Sequence, residues 1–223
     1  MTETRKSEVA IPPLHLGGTL QMPSPATGLV LFAHGSGSSR FSPRNSFVAA
    51  ALNDAGFGTL LLDLLTVGEE DDRAKVFDIP LLAGRLAAAV DWIDGQAGLS
   101  GLPLGLFGAS TGAAAALQVA VQLAPRIRAV VSRGGRPDLT VAPLEAVRAP
   151  TLLIVGGDDD VVLALNLQAL KALTAPKAIR IVDGATHLFS EPGAMEAVCK
   201  HAIDWFGRHL QRDAGENRVT DGA

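Results

Sequence analysis

The chain has 223 residues, of which 48% are hydrophobic and 19% are charged, and its formal net charge is −4. This length and composition predict a single globular domain, residues 1–223, with a well-buried core. The weak acidity and the lack of any long run of one charge sign argue against a nucleic-acid partner. Polar residues at both ends predict flexible tails over residues 1–8 and 211–223.

The sequence shows no signal for export or membrane insertion. Its first ten residues lack the apolar core of a signal peptide. The longest uncharged stretch, residues 95–125, is interrupted by glycines, prolines and polar residues, which a lipid-facing helix avoids. We therefore expect a cytoplasmic protein, a monomer or homodimer, with a small-molecule substrate and no membrane partner.

Strands and helices alternate along the chain. Residues 9–21 predict one or two edge strands around a turn at Gly17-Gly18. Short, largely apolar runs then predict buried strands at 28–33, 58–62, 104–107, 127–132, 151–155 and 178–182. Helices are predicted between or after them at 46–55, 79–93, 111–123, 163–173 and 195–210. Residues 133–150 have room for one short helix. This order predicts an α/β fold, a mainly parallel sheet with helices on both faces.

Ligands of such sheets bind at the carboxyl ends of the strands, so reactive residues should directly follow strands. Ser110 follows the third buried strand, within the sequence Gly108-Ala109-Ser110-Thr111-Gly112. This G-x-S-x-G pattern is typical of a nucleophile elbow, a strained turn between strand and helix whose glycines leave space around the serine. Ser110 is thus a candidate nucleophile, and the alternative is a small polar residue in the core.

A serine hydroxyl requires a base to become nucleophilic. Of the five histidines, only His187 lies in a loop directly after a late strand. The base in turn requires a carboxylate that fixes its tautomer. The fifth buried strand ends in Gly156-Gly157, followed by Asp158, Asp159 and Asp160, and each of these three aspartates is a candidate.

An oxyanion hole is the fourth requirement of this chemistry. One donor is expected to be the backbone N–H of Thr111, the residue after the nucleophile. The second should come from the glycine-rich loop after the first buried strand, His34-Gly35-Ser36-Gly37, with Ser36 as the candidate and Gly35 as the alternative.

Taken together, these segments resemble the α/β-hydrolase superfamily, most closely its small dienelactone hydrolase-like branch. The resemblance spans about residues 28–210 and is carried by LFAHGSGSSRFSPRN, LLDLLTVGEE, FGASTG, LIVGGDDDVV and GATHLFSEPG. It implies the α/β-hydrolase fold. The family's G-x-x-D arrangement implies Asp159 as the acid. Because the fourth strand, its helix and the fifth strand fill most of the segment between Ser110 and Asp159, no cap domain is expected.

The chain departs from true dienelactone hydrolases, which carry cysteine where this chain has Ser110. The only cysteine, Cys199, lies mid-helix and is predicted to be a small buried residue. Arginines near strand ends are candidates for binding a substrate carboxylate, and they are Arg40, Arg44, Arg133 and Arg136. Arg133 is the strongest candidate for this role because it directly follows a strand, and Arg40 is a further candidate.

The resulting hypothesis is a serine hydrolase that cleaves small carboxylic esters through an acyl-enzyme, with Ser110, Asp159 and His187 as the triad. This chemistry calls for no metal or cofactor. An acyltransferase or thioesterase would use the same residues. The alternative from another class is a non-catalytic binding protein with a hydrolase fold.

Overall fold

The computed structural model describes residues 4–211. Eight strands form one sheet in the order β1-β2-β4-β3-β5-β6-β7-β8. The strands are β1 (Thr4–Ile11), β2 (Leu16–Pro23), β3 (Leu29–Ala33), β4 (Gly58–Leu62), β5 (Leu104–Ala109), β6 (Ile127–Arg133), β7 (Thr151–Gly156) and β8 (Lys177–Val182). The helices are α1 (Pro43–Asp54), α2 (Val67–Glu70), α3 (Arg73–Val76), α4 (Ile79–Asp94), α5 (Thr111–Gln122), α6 (Asp160–Ala172) and α7 (Ala194–His209).

The strands from β4 to β8 in this order run parallel to one another, and β2 pairs antiparallel with both of its neighbours, β1 and β4. Strands β3, β4 and β5 are buried along their whole length. Their continuous apolar sequences follow from being covered on both faces. Helices α4, α5 and α6 contribute to the core on one face. Helices α1 and α7 cover the other face. The predicted α/β fold with helices on both faces is confirmed.

Alternation along β6 determines which face each of its side chains reaches. Val130 belongs to the core under α4 and α5, whereas Ala129 and Val131 belong to the core under α1 and α7. Arg133, the last residue of β6, has the same parity as Val131. Its side chain therefore lies on the α1 and α7 side of the sheet.

The expectation of a flexible N-terminal tail was wrong over residues 4–8, which belong to β1. This strand pairs with β2 along its entire length, from Thr4 opposite Pro23 to Ile11 opposite Leu16. Backbone pairing with β2 orders this polar segment although its side chains are mostly exposed. The expected C-terminal tail lies outside the described residues, apart from Gln211.

The predicted turn at Gly17-Gly18 was also wrong, because both glycines lie inside β2 and the chain turns at residues 12–15. Close approach explains the glycines. A Cβ at Gly17 would overlap the Arg40 guanidinium, and one at Gly18 would lie 2.9 Å from Val9 Cγ2. These positions require a small residue for packing rather than for a turn.

The connections between strands differ from prediction in detail. Helix α1 begins at Pro43, earlier than expected, because Ser42 caps it by accepting the Asn45 N–H and proline suits the first turn. Between β6 and β7 lie two short 3₁₀ helices, Pro137–Leu139 and Leu144–Ala146, where one helix was predicted. No helical cap is inserted in this connection, as predicted.

Within residues 4–211 no helix is both long and apolar enough to cross a membrane. The uncharged stretch of residues 95–125 contains β5, the turn at Ser110 and the 12-residue helix α5. Its lack of charge follows from burial in the protein core, since residues 111–120 of α5 are all buried.

Candidate active site

Ser110 occupies a strained backbone turn between β5 and α5. Its φ is 51° and its ψ is −119°, a region that residues with a side chain rarely adopt. Three backbone hydrogen bonds hold the turn. The Ser110 N–H donates to the carbonyl of Arg133 at 3.2 Å, and the Ser110 carbonyl accepts the N–H groups of Ala113 and Arg136, each at 3.1 Å. A strained backbone conformation that several hydrogen bonds hold in place is characteristic of functional sites.

The two glycines of the G-x-S-x-G pattern are required by close backbone packing. A Cβ at Gly108 would overlap the backbone of Ala113 in α5. A Cβ at Gly112 would overlap the carbonyl oxygens of Ala33 and His34, at the end of β3. The turn is therefore pressed against the loop that follows β3. This is the loop in which the sequence placed the second oxyanion donor.

His187 and Asp159 form a short hydrogen bond between Nδ1 and Oδ2, at 2.7 Å. Asp159 directly precedes α6, yet its carboxylate makes no capping bond to that helix and is available to His187. Asp158 and Asp160, the sequence alternatives, are exposed. In the tautomer that carries its proton on Nδ1, His187 donates this hydrogen bond to the Asp159 carboxylate, which leaves Nε2 as the free acceptor on the ring.

The His187 ring lies beside the backbone that holds Ser110. A Cβ at Gly134 would lie 3.5 Å from His187 Nδ1 and Cε1. Gly134 is joined directly to Arg133, whose carbonyl accepts the Ser110 N–H. Ser110, Asp159 and His187 thus follow β5, β7 and β8 at the same edge of the sheet. Among the described residues no hydrogen bond joins the Ser110 hydroxyl to His187, a contact that in free enzymes often forms only with substrate.

His34 fixes the loop that faces Ser110. It is 6% exposed, and burial lowers its pKa, which keeps the imidazole neutral. Its Nδ1–H donates to the Gly35 carbonyl at 3.0 Å, and its Nε2 accepts the Leu64 N–H at 3.1 Å. Because the peptide between Gly35 and Ser36 is planar and trans, holding this carbonyl directs the Ser36 N–H the opposite way. No local sequence pattern indicates this role for His34, since its partner Leu64 lies in another loop.

Ser36 and Thr111, the two predicted oxyanion donors, line one cavity of about 320 Å³. A Cβ at Gly35 would lie 3.0 Å from the Ser110 Cβ, which places this loop directly against the elbow. Glu70, Asp71 and Leu82 of α4 also line the cavity. The cavity therefore adjoins the turn at Ser110 on the side of α4.

Arg40 does not offer a free charge to a substrate, contrary to the sequence prediction. Its guanidinium pairs with the Asp63 carboxylate and lies 3.7 Å from a Glu8 carboxylate oxygen. It also lies 4.1 Å from the centre of the Phe41 ring. These carboxylates neutralise Arg40 and tie the loop after β3 to β4 and β1.

Arg133, the strongest sequence candidate for binding a substrate carboxylate, is buried and has no carboxylate partner among the described residues. It is 8% exposed, and its Nε has no hydrogen-bond partner. Its Nη1 contacts the Met195 sulfur at 3.8 Å, and its guanidinium carbon lies 5.9 Å from the Phe189 ring centre. Burial and the nearby Arg44 lower the pKa of Arg133 to about 10, so it remains charged at neutral pH.

The fourth candidate arginine, Arg136, is satisfied within the chain. Its guanidinium forms a two-pronged pair with Asp138 two residues on, with distances of 2.8 and 2.7 Å. Hydrogen bonds to Asp138 raise the pKa of Arg136, and Arg136 lowers the pKa of Asp138. Arg136 and Asp138 therefore neutralise each other within the connection that follows β6.

Residues 20–211 match the family described as "Dienelactone hydrolase family". The chain belongs to this family. A crystal structure described as dienelactone hydrolase from Anabaena variabilis ATCC 29413 is 50% identical in sequence, with a TM-score of 0.89, and the match covers 94% of this chain and 99% of that one. The structure of Est1E from Butyrivibrio proteoclasticus, 14% identical, shares the fold with a TM-score of 0.77 over 91% of this chain and 98% of its own.

A relative from Mycobacterium tuberculosis (strain ATCC 25618 / H37Rv), named "Putative phosphoribosyl transferase", is 54% identical over 203 residues. The match covers 91% of this chain and 46% of that protein, so the chain spans about half the length of this relative. The chain therefore belongs to a family of hydrolases and shares their fold. The resemblance predicted from its loop motifs is confirmed.

Cys199 lies in α7, far along the chain from the elbow. Burial and the charge of Glu196 raise the pKa of its thiol to about 11. Cys199 therefore lacks both the exposure and the ionisation of a nucleophilic thiol.

Within residues 4–211, no group of three or more His, Cys, Asp or Glu side chains is placed to hold a metal ion.

We expect iodoacetamide to leave Cys199 of the folded protein unmodified at about pH 8, because only about one thiol in a thousand is ionised three units below its pKa. Labelling would be followed by intact mass, with urea-unfolded protein as the positive control. Rapid alkylation of the folded protein would contradict the buried placement of Cys199.

Proposed function

We propose that this member of the dienelactone hydrolase family is a serine hydrolase that cleaves small carboxylic esters. The observation that carries the proposal is the strained turn at Ser110, adjacent to a His187 already bonded to Asp159 at 2.7 Å. A nucleophile elbow and an oriented base are the two parts that a serine needs for acyl transfer.

In the proposed mechanism His187 Nε2 removes the hydroxyl proton as Ser110 Oγ attacks the ester carbonyl. The negative oxygen of the tetrahedral intermediate accepts hydrogen bonds from the backbone N–H groups of Thr111 and Ser36. His187 then gives its proton to the departing alcohol, which leaves an acyl-enzyme. Water attacks this ester with His187 again as base, and the acid product and free Ser110 are released.

The surroundings of the triad support small ester substrates with apolar parts. His187 has 39% of its side chain exposed, so substrate reaches it without displacing a cap. Exposed apolar side chains occur in the connections that follow β3, β4, β6, β7 and β8, and they are Phe41, Val67, Phe77, Val141, Val161 and Leu188. Apolar side chains at this end of the sheet favour ligands with hydrocarbon or aromatic groups.

Acyl transfer to another alcohol and thioester hydrolysis use the same residues, and product analysis with a competing alcohol separates them from ester hydrolysis. The name of the longer mycobacterial relative indicates a different transfer reaction. Because this chain matches about half of that protein, the name does not assign the reaction to the shared half. The elbow and the His187–Asp159 pair favour acyl chemistry.

A fluorophosphonate probe tests the proposal directly. It is expected to label Ser110 and no other serine, because the probe reacts with serines activated by a neighbouring base. Peptide mass spectrometry would locate the label, and the Ser110→Ala and heat-denatured proteins would serve as unlabelled controls. An unlabelled native protein would favour the non-catalytic alternative, and a label elsewhere would move the nucleophile.

A further inference from the structure

Two arginines at the carboxyl edge of the sheet differ from the other partly buried arginines of the chain. Several of those are paired with carboxylates, and they are Arg40, Arg85, Arg126 and Arg136. Arg133 and Arg44 have no carboxylate within ion-pair distance in the described part of the chain. Fully exposed arginines need no partner, because water solvates them, whereas these two are shielded from water.

The shielding is most complete at Arg133, which is 8% exposed and has a buried Nε without a hydrogen-bond partner. The contact of its Nη1 with the Met195 sulfur, at 3.8 Å, is a weak substitute for an oxygen acceptor. The Nε of Arg44 is also buried without a partner. Each charge raises the cost of the other, since the two guanidinium groups repel. Two shielded positive charges without a carboxylate partner favour the binding of an anion between them.

The backbone of Arg133 lies beside the proposed nucleophile, and Arg44 is near enough to Arg133 for the two charges to interact. The Arg133 carbonyl accepts the Ser110 N–H at 3.2 Å, and the next residue, Gly134, lies against the His187 ring. The Arg133 side chain reaches Met195 in the first turn of α7, and Arg44 lies in the first turn of α1. Both helices therefore direct their positive ends toward the same region.

We propose that Arg133 and Arg44 form a subsite for a dianionic phosphate group carried by the ester substrate of Ser110. Two guanidinium groups supply two positive charges and paired N–H donors, which match a phosphate monoester better than a single carboxylate. The substrate assignment rests on the proposed function, whereas anion binding at these arginines does not. The expected substrate class is small carboxylic esters that also carry a phosphate.

Inorganic phosphate is the probe, and calorimetric titration at low salt is the measurement. Wild type and Ser110→Ala are expected to bind phosphate equally. Arg133→Gln and Arg44→Gln should each weaken binding by about tenfold or more, the value of a hydrogen-bonded charge. Arg208→Gln removes the same charge at the exposed C-terminal end of α7 and should bind like wild type. Arg44→Lys should recover part of the affinity.

If Arg133→Gln fails to fold, Arg44→Gln still tests the subsite, because Arg44 is only partly buried and its replacement should be tolerated. Undiminished phosphate binding by Arg44→Gln, or acetate binding as tight as phosphate, would overturn the subsite. Because binding is measured without turnover, phosphate affinity that depends on both arginines would stand even if Ser110→Ala retained esterase activity. In that case the proposed function would fail and the anion site would not.

Discussion

Ser110→Ala is expected to lower the kcat of p-nitrophenyl acetate hydrolysis by about five to six orders of magnitude, as loss of a serine nucleophile does in other triads. The variant keeps the oxyanion donors and His187 but has no oxygen to acylate. Alanine adopts a φ of 51° no more readily than serine, so the backbone strain and the thermal unfolding midpoint should be unchanged.

The matched control for this prediction is Ser100→Ala, which removes an exposed hydroxyl from the loop that precedes β5, at the opposite end of that strand. It should retain the full rate. Hydrolysis by Ser110→Ala at a rate near that of wild type would show that the turn has no catalytic part and that another group attacks the ester.

Asp159→Asn is expected to lower kcat/KM by about four orders of magnitude. The amide that replaces the carboxylate cannot hold the Nδ1–H tautomer of His187 or stabilise the imidazolium that forms during attack. Burial of Asp159, whose side chain is 14% exposed, limits compensation by water. Steady-state kinetics across a pH series would measure the loss.

Asp158→Asn provides a control of the same chemistry one residue away, at an exposed position. We expect its kcat/KM to stay within about twofold of wild type, the usual range for an exposed substitution. If instead Asp158→Asn were the inactive variant, the acid of the triad would be misassigned, although the 2.7 Å bond would then need another explanation.

The sequence alone predicted the order of β3 to β8, the longer helices between them and the residues that follow each strand. β8, expected to be buried, is partly or fully exposed at all but its last residue because it lies at the edge of the sheet. Continuous apolar runs favour strands covered on both faces, and parallel strands bring their carboxyl ends to one edge. Ser110, His187 and the three aspartates at 158–160 are therefore predicted to lie together although they are far apart along the chain, and the family resemblance implies Asp159 among the three. The glycines at Gly108 and Gly112 added a local signal that the turn is tight.

Only the tertiary structure decided which side chains are already paired. The sequence made both Arg133 and Arg40 candidates for binding a substrate carboxylate, but Asp63 and Glu8 neutralise Arg40 while Arg133 is buried without a carboxylate. Likewise, the strand at residues 4–8 depends on pairing with β2. The reason is common to both. Hydrogen bonds and ion pairs between distant segments follow from the packing of the whole chain, and local patterns carry no record of them.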